Sequence, residues 1–433
     1  MGNLIIARNN EISSAGGGNK TDISSAVVTL ASSSFVYDGT LKTQTVSSVV
    51  LGGATLTAGT DYVVFNNQRT NAGTYRLLIF GRGDYDGYVG VDWSITKAQG
   101  SISASPSSLT VIGGVGTTAT STLMVVGDGE ISVQSSDDSV ATASVSGATV
   151  TITSVADGSA IITIMMAEGN NYLGASTTIS ATITIIGALD TCTPAKIQAV
   201  AQAGTGANYW SVGDKTEEIS IGAVGNMTAT SACAFIIGFN HNSEVEGTGI
   251  HFQFAKTISG TDIAFIDDGY SGAKTSGTWF NMNNSKSNSG GWSSSNMRST
   301  ICPAFKSALS SAWQSVIKGC KKWTDNTGNR NSVSSSVTET TDDIFLLSEK
   351  EVFGTINQAN SYESSKQIQY DYYANGNSKQ KYRHNSDSAY CVWWLRSPRS
   401  SDTGSFVNSN TSGNVSQSNA NYSYGFAPGF MIG

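Results

Sequence analysis

The sequence predicts a multi-domain protein in which two all-β sandwiches precede a larger α+β domain. Three observations lead to this prediction. Only 13% of the 433 residues are charged and 47 are glycine, a composition that suits β-sandwiches and polar loops better than helical bundles. Short runs of β-forming residues between turn signals fill the first part of the chain. A helical pattern and a tryptophan-rich apolar segment appear in the second part, and the total length suits two to four domains.

The N-terminal segment, residues 1–23, is polar and contains Gly16-Gly17-Gly18. Chain ends of this composition are either disordered tails or arms that dock on a neighbouring subunit. Both interpretations of residues 1–23 stay open.

Residues 24–98 alternate short β-forming runs, such as Tyr62-Val63-Val64-Phe65, with turns. This region resembles a bacterial immunoglobulin-like module of the YDG kind. The resemblance lies in the segments around Asp38-Gly39 and Asp86-Gly87 and in Asn71-Ala72-Gly73. We interpret the Asp-Gly pairs as hairpin turns and not as calcium ligands.

Residues 99–186 show a period of two, for example in Ser139–Val145 and Thr149–Thr153, where apolar residues alternate with small polar ones. This alternation places one face of a strand in a core and the other in water. The segment resembles a group 2 bacterial immunoglobulin-like domain. Neither module contains a cluster of titratable groups, so both are expected to serve as spacers or docking platforms.

Residues 187–433 contain one strong helical pattern, which predicts a helix from Pro303 to Lys322. Phe305, Leu309 and Trp313 recur at helical spacing. The basic end of this segment would suit the negative end of the helix dipole.

A tryptophan-rich segment, Trp393–Pro398, is followed by a polar insert, Ser400–Tyr424, and then by an apolar segment that ends at Ile432. Large aromatic side chains are costly to leave in water, so the two apolar segments are expected to be buried. Adjacent strand residues point to opposite faces, so Trp393 and Trp394 should serve two packed layers. The predicted scaffold residues are Trp393, Trp394, Arg396, Pro398, Phe426 and Phe430.

The polar insert has the mixture of tyrosine, serine, asparagine and glycine that is typical of antibody binding loops. It is therefore predicted to be a contact surface, with a plain polar loop as the alternative. The predicted ligand-binding residues are Asn408, Asn410, Asn414, Asn419, Asn421, Tyr422 and Tyr424. A second tyrosine-rich stretch, residues 362–390, is interpreted either as a surface hairpin or as a further contact surface.

The order WWLRSP, F-V, G and GFAPGFMI resembles the C-terminal WWLRSP-type domain of Firmicutes and their phages. That domain is related to the C-type lectin and formylglycine-generating-enzyme group, and to variable domains diversified by retroelements. Further parts of the WWLRSP-type domain resemble three other segments of this chain, namely Trp210–Asp214, Met297–Thr300 and Ile344–Val352. One departure is Ala427, which stands where the family usually has an arginine.

The resemblances together predict two all-β immunoglobulin-like sandwiches, at 24–98 and 99–186, followed by an α+β C-type-lectin-like domain at 187–433. They imply that this last domain displays a ligand-binding surface.

Motifs for catalysis or metal binding are weak in this sequence. The calcium-lectin tripeptides Glu-Pro-Asn, Gln-Pro-Asp and Trp-Asn-Asp do not occur, and Asp267-Asp268 is interpreted as a turn rather than a calcium site. His241 and His251 could be neighbours across a hairpin, but further metal ligands are not evident. The five cysteines include no C-x-x-C pair. We therefore expect a non-enzymatic protein without a metal site or cofactor.

Composition also narrows the expected partners. A net charge of −7 provides no basic footprint for nucleic acid, and no apolar run has the length of a membrane span. The start of the sequence lacks the pattern of a secretion signal. These features favour a bacteriophage virion protein of the tail, fibre or capsid surface that binds a host surface protein or glycan. Other virion subunits and further copies of the chain are expected partners. The alternatives are a structural capsid or tail decoration protein and a bacterial cell-surface adhesin.

Overall fold

The computed structural model describes residues 19–329 and 332–433 and is mostly β. The chain divides near residue 184 into two compact units, and residues 112–114 belong to the second. The predicted multi-domain, mostly β organisation is therefore confirmed. Residues 1–18 of the predicted arm lie outside the described residues. The end of that arm differs from the prediction, because Thr21–Asp22 forms a strand and Ile23 is buried in the first core.

From residue 19 onwards, where the structure describes the chain, the first part of unit one contains eleven short strands. They are β1 (Thr21–Asp22), β2 (Val27–Leu30), β3 (Ser34–Val36), β4 (Lys42–Thr43), β5 (Val46–Leu51), β6 (Ala54–Thr55), β7 (Tyr62–Phe65), β8 (Gln68–Arg69), β9 (Gly73–Gly81), β10 (Tyr85–Asp86) and β11 (Tyr88–Thr96). One sheet has the order β3-β11-β9-β7 and another has the order β2-β5-β6. Side chains from both sheets, including Val49, Leu77 and Trp93, form one buried core.

The second part of unit one contains eight longer strands. They are β12 (Ser101–Ser105), β13 (Ser108–Gly113), β14 (Thr118–Val126), β15 (Ile131–Ser135), β16 (Ala141–Ser146), β17 (Thr149–Ser154), β18 (Gly158–Met166) and β19 (Ala175–Ile185). They form two four-stranded sheets, β12-β14-β17-β16 and β13-β19-β18-β15. Alternate residues such as Ile179, Ala181 and Ile183 are buried, as the period of two requires.

Unit two mixes short helices with strands. Its helices are α1 (Pro194–Gln202), α2 (Ser243–Glu246), α3 (Cys302–Ser307), α4 (Ser311–Val316), α5 (Glu349–Phe353) and α6 (Asp371–Ala374). Single 3-10 or π turns lie at Leu189–Thr191, Gly206–Asn208, Met297–Ile301, Ser334–Ser336 and Ser361–Ser365. Within residues 19–329 and 332–433, no helix has both the length and the apolar character needed to cross a membrane.

The strands of unit two build one main sheet and several smaller ones. They are β20 (Ile219–Ile221), β21 (Thr230–Phe239), β22 (Ile250–Lys256), β23 (Ile263–Ala264), β24 (Ile317–Lys318), β25 (Cys320–Asp325), β26 (Val337–Asp342), β27 (Ile344–Phe345), β28 (Lys381–Arg383), β29 (Tyr390–Cys391), β30 (Trp393–Pro398), β31 (Ser405–Ser409), β32 (Val415–Asn419) and β33 (Gly429–Ile432). The main sheet has the order β20-β21-β22-β33-β24, and β27 also pairs with β33. The last strand is thus central, and Phe430 stacks on Phe252 and Phe254.

The predicted helix from Pro303 to Lys322 is too long. Helical structure is interrupted after Ser307 and ends at Val316. Ile317 then pairs with Ile432 in the main sheet, so tertiary pairing overrides the local helical pattern there. The basic residues do not complement a helix end, and Lys322 is fully buried in β25. Helix α1 was not predicted from the sequence, although Thr193 caps it and Pro194 occupies its first position.

Candidate functional site

All six predicted scaffold residues are buried in unit two. The two indoles donate in different directions, Trp393 Nε1 to Lys379 O at 2.9 Å and Trp394 Nε1 to Phe280 O at 3.0 Å. This arrangement agrees with the strand alternation that the sequence predicted. Strand β30 pairs with β31, so it carries the polar insert directly on a packed layer.

Arg396 is the centre of a buried network of ion pairs. Its guanidinium binds both carboxylate oxygens of Glu351 and donates to Thr324 Oγ1 and Leu346 O, each at 2.8 Å. Burial alone would raise the pKa of Glu351, but the charges of Arg396 and Lys322 hold that pKa well below its ordinary value. A buried pair needs such complete hydrogen bonding to offset the loss of hydration.

Lys322 joins this network from the other side of Glu351. Its Nζ donates to Glu246 Oε2 at 2.7 Å, to Glu351 Oε1 at 3.2 Å and to Tyr370 Oη at 2.8 Å. All three protons of the ammonium group therefore have an acceptor. Two glutamates balance Lys322 and Arg396, so the network is electrically neutral when its histidines are neutral.

His241 and His251 lie beside the network, with ring centroids 5.7 Å apart, as the sequence allowed. Burial lowers the pKa of His241 to about 3 and lowers that of His251 well below its ordinary value. Potential metal ligands do meet here, in the groups Glu246–His251–Cys320 and His241–Glu246–Glu351. The Lys322 ammonium already supplies the positive charge between the two glutamates. We therefore interpret the network as a structural element and not as a metal centre.

The polar insert is folded into the domain more deeply than the sequence predicted. Residues 405–409 and 415–419 form β31 and β32, which extend the β30 sheet. Asn408 is 1% exposed and donates from Nδ2 to Ser418 Oγ at 3.0 Å. The prediction that Asn408 contacts a ligand is therefore wrong, because its position on a central strand buries it.

The other predicted asparagines lie in different places. Asn410 and Asn414 lie at the turn between β31 and β32, where Asn410 Oδ1 accepts from the backbone of Ser412 and Asn414. Asn421 is half-buried, and its carbonyl accepts from Lys274 N at 2.7 Å. The seven predicted ligand-binding residues thus do not form one surface.

Asn419, Tyr422 and Tyr424 do come together, in a groove of about 700 Å³. We call it the tyrosine groove. The residues that line it are Lys286, Arg399, Asp402, Thr403, Gly404, Ser405, Gln417, Ser418, Asn419, Tyr422 and Tyr424. Its volume is in the range of sites that bind small ligands.

Aromatic packing holds the two tyrosines of this groove in place. Their rings are nearly parallel, with centroids 5.9 Å apart and an interplanar angle of 22°. Tyr424 also packs against Trp394 at 5.3 Å and against the edge of Tyr270 at 5.9 Å. The buried tryptophan therefore supports the tyrosine that reaches the groove.

Another part of the groove lining is a hydrogen-bonded turn at residues 399–405. Asp402 accepts from Gly404 N and Ser405 N with one oxygen and from Arg399 Nη1 with the other, each at 2.8 Å. Buried Asn288 donates to three carbonyl oxygens of this turn. The wall is thus organised before any ligand binds.

Several groove side chains retain free polar ends. Within residues 19–329 and 332–433, the side chains of Lys286, Gln417 and Asn419 and the hydroxyls of both tyrosines make no hydrogen bond. Lys286 and Arg399 lie outside the predicted contact surface Ser400–Tyr424, whereas Asp402 and Gln417 lie within it but were not among the predicted ligand-binding residues. Lys286 is far away in sequence, and only its packing over Gly404 brings it here: a Cβ atom at Gly404 would lie 2.9 Å from Lys286 Cγ.

The tyrosine-rich stretch at 362–390 is not a continuous exposed surface. Tyr370, Tyr372 and Tyr373 are buried, whereas Tyr362 is 44% exposed. Tyr382 and Tyr390 stack at 4.2 Å and join their hydroxyls at 2.8 Å.

Residues 272–433 match a family model described as "Domain of unknown function (DUF6273)", and this match includes every residue that lines the groove. A comparison with curated proteins finds no match. A crystal structure of the S-layer protein SbsC is 21% identical, covers 34% of this chain and 24% of its own, and has a TM-score of 0.20. The chain thus spans about a quarter of that structure.

Two further structures contain immunoglobulin-like or fibronectin-like modules. An I-band fragment of titin is 13% identical over 37% of this chain and 64% of its own, with a TM-score of 0.20. The fibronectin(III)-like modules of CbhA from Clostridium thermocellum are 10% identical over 37% of this chain and 95% of their own, with a TM-score of 0.17.

Proposed function

We propose that this chain is a non-enzymatic adhesion or receptor-binding protein whose tyrosine groove holds the ligand. The observation that carries the proposal is the groove itself. Tyr422 and Tyr424 lie there beside the side-chain amides of Gln417 and Asn419, and the hydrogen-bonded turn at 399–405 lines the same groove. Rigid tyrosines lose little conformational entropy on binding and combine apolar area with a polar end. The ligand is a protein or glycan of a host surface.

The proposal extends to the fold of unit two, for which we favour a C-type-lectin-like α+β domain. Its support is the mixture of short helices and strands, the central position of β33 and the buried WWLRSP strand. The β-sandwiches of unit one would then act as the immunoglobulin-like stalk or docking part.

A variant series tests the role of the groove. Tyr422→Ala and Tyr424→Ala should each weaken the binding of purified full-length protein to host cells by at least tenfold, since aromatic anchors concentrate binding energy. Tyr362→Ala is the matched control because that tyrosine is exposed elsewhere in the same unit. Normal binding by both groove variants would refute the groove as the contact surface.

The setting that we propose is a bacteriophage virion, with the protein at the tail, a fibre or the capsid surface. Mass spectrometry of purified particles tests this setting directly. Presence of the chain in particles supports it, and its recovery only from bacterial cell surfaces would favour a bacterial adhesin instead.

A second candidate is a structural decoration protein that assembles through unit one. Phe65, Phe80 and Tyr88 form an exposed aromatic strip on one sheet, with exposures of 53%, 37% and 58%. Adjacent rings in this strip lie 5.5 Å apart. Contiguous exposed apolar surface is typical of an interface, including one between copies of a homo-oligomer. Analytical ultracentrifugation of wild type and Phe80→Ser tests this candidate: an oligomer that the variant loses would support it.

A further inference from the structure

We infer that the tyrosine groove takes an anionic glycan, meaning a saccharide or polyol chain that carries carboxylate or phosphodiester groups. This inference rests on the proposed binding function and names the ligand class of the same site. It depends on the balance of charges in the groove and on the polar groups that remain unused there.

The charges of the groove sum to about +1, in a chain whose net charge is −7. The charged side chains that line it are Lys286, Arg399 and Asp402. Arg399 and Asp402 neutralise each other through a 2.8 Å ion pair. Lys286 is exposed and has no acidic partner within residues 19–329 and 332–433. The groove therefore offers one uncompensated positive charge.

The negative charge of Asp402 is already balanced within the turn, so it does not make the groove a site for cationic ligands. Burial alone would raise the pKa of Asp402, but hydrogen bonds from Gly404, Ser405 and Arg399 lower it below its ordinary value. Those same bonds occupy both of its carboxylate oxygens. Because the turn and Arg399 already engage and neutralise this carboxylate, the uncompensated charge in the groove is that of Lys286.

The uncharged groups of the groove suit a sugar chain. Gln417 and Asn419 offer amide donors and acceptors, and the tyrosines offer ring faces and hydroxyls. Sugar rings present apolar C–H faces and rims of hydroxyl groups, and both kinds of contact are available here. The volume of about 700 Å³ lies within the range of sites that bind small organic ligands.

The experiment compares two matched probes on the full-length protein by isothermal titration calorimetry. Trigalacturonic acid carries three carboxylates, and its trimethyl ester is the same trisaccharide without charge. A glycerol-phosphate trimer tests whether the anionic groups that the groove recognises are phosphodiesters instead of carboxylates. Wild type should bind at least one of the two anionic probes about fivefold more tightly than the ester, the effect expected of one exposed ion pair.

Two lysine variants assign that preference to the groove. Lys286→Met should abolish the preference of the protein for the anionic probe over the ester, while Lys318→Met, which removes the same charge from an exposed site in β24, should preserve it. If wild type binds neither anionic probe more tightly than the ester, the inference is overturned. The proposed binding function is judged separately by whether Tyr422→Ala and Tyr424→Ala lose host-cell binding. The two failures are therefore distinguishable.

Discussion

Ser423 Oγ donates a 2.6 Å hydrogen bond to Asp267 Oδ1, and this bond anchors the residue that separates Tyr422 from Tyr424. Asp267 Oδ1 also accepts from Gly269 N, and Oδ2 accepts from Phe280 N. The carboxylate therefore organises a turn and one groove wall at once, which agrees with the interpretation of Asp267-Asp268 as a turn. It links the backbone of the groove to a segment more than 150 residues earlier.

Ser423→Ala should lower the free energy of unfolding of unit two by about 2 kcal/mol, because a buried hydrogen bond to a charged acceptor is lost. The same change should weaken ligand binding, since the tyrosines on either side lose their anchor. Urea unfolding and host-cell binding measure the two effects. Ser412→Ala, at an exposed turn position, should change neither. Unaltered binding by the Ser423 variant would show that this bond does not position the groove.

Lys321 and Lys322 are adjacent in β25 but face opposite environments, so they form a matched pair. Lys322→Met should cost about 3–5 kcal/mol, because it leaves Glu246 buried without its cation. Lys321→Met should cost at most about 1 kcal/mol, since its ion pair with Glu339 is exposed to solvent. Urea unfolding of the two variants checks this difference. Equal costs would contradict our description of the buried network.

The buried histidines predict a loss of stability in acid. The pKa of His241 is about 3 in the folded protein, because burial and the charge of Lys322 oppose protonation, whereas an unfolded histidine has a pKa near 6.5. The contribution of neutral His241 to the free energy of unfolding is therefore complete above pH 6.5 and is lost as the pH falls towards 3.

His241→Gln should make the free energy of unfolding less pH-dependent between pH 6 and pH 4, by about 1.4 kcal/mol per pH unit. The variant must be compared with wild type, because Glu363 changes the free energy of unfolding with pH in the opposite direction. Burial raises the pKa of Glu363 to about 7, so its contribution is lost as the pH rises from 4.5 towards 7. Parallel pH profiles for wild type and variant would contradict the assignment to His241.

Asn408 and Asn414 lie on one hairpin but differ in burial, and the same substitution separates them. Asn408→Asp should cost about 3 kcal/mol, because it places a charge at a buried site and removes the donor to Ser418. Asn414→Asp should stay within about 0.5 kcal/mol, as exposed substitutions usually do. Thermal melts provide the measurement. A stable Asn408 variant would mean that the β31–β32 hairpin is not packed as described.

The sequence alone was sufficient to predict the mostly β, multi-domain organisation and the buried scaffold. Period-two alternation is a local property of a strand, so the apolar residues of Thr149–Thr153 could be placed in a core without knowledge of their partners, and Val150 and Ile152 are indeed buried. The cost of hydrating two indoles likewise predicted the burial of Trp393 and Trp394.

Tertiary structure decided the rest, because each outcome depends on partners that are distant in sequence. Ile317 leaves its helical pattern to pair with Ile432, and Lys322 is buried because Glu246 and Glu351 meet it. Asn408 and Asn414 belong to the same polar insert, yet only the pairing of β30 with β31 buries one of them. Lys286 reaches the tyrosine groove by packing over Gly404. Local composition encodes what a segment prefers, whereas long-range packing determines which of its side chains remain available to bind.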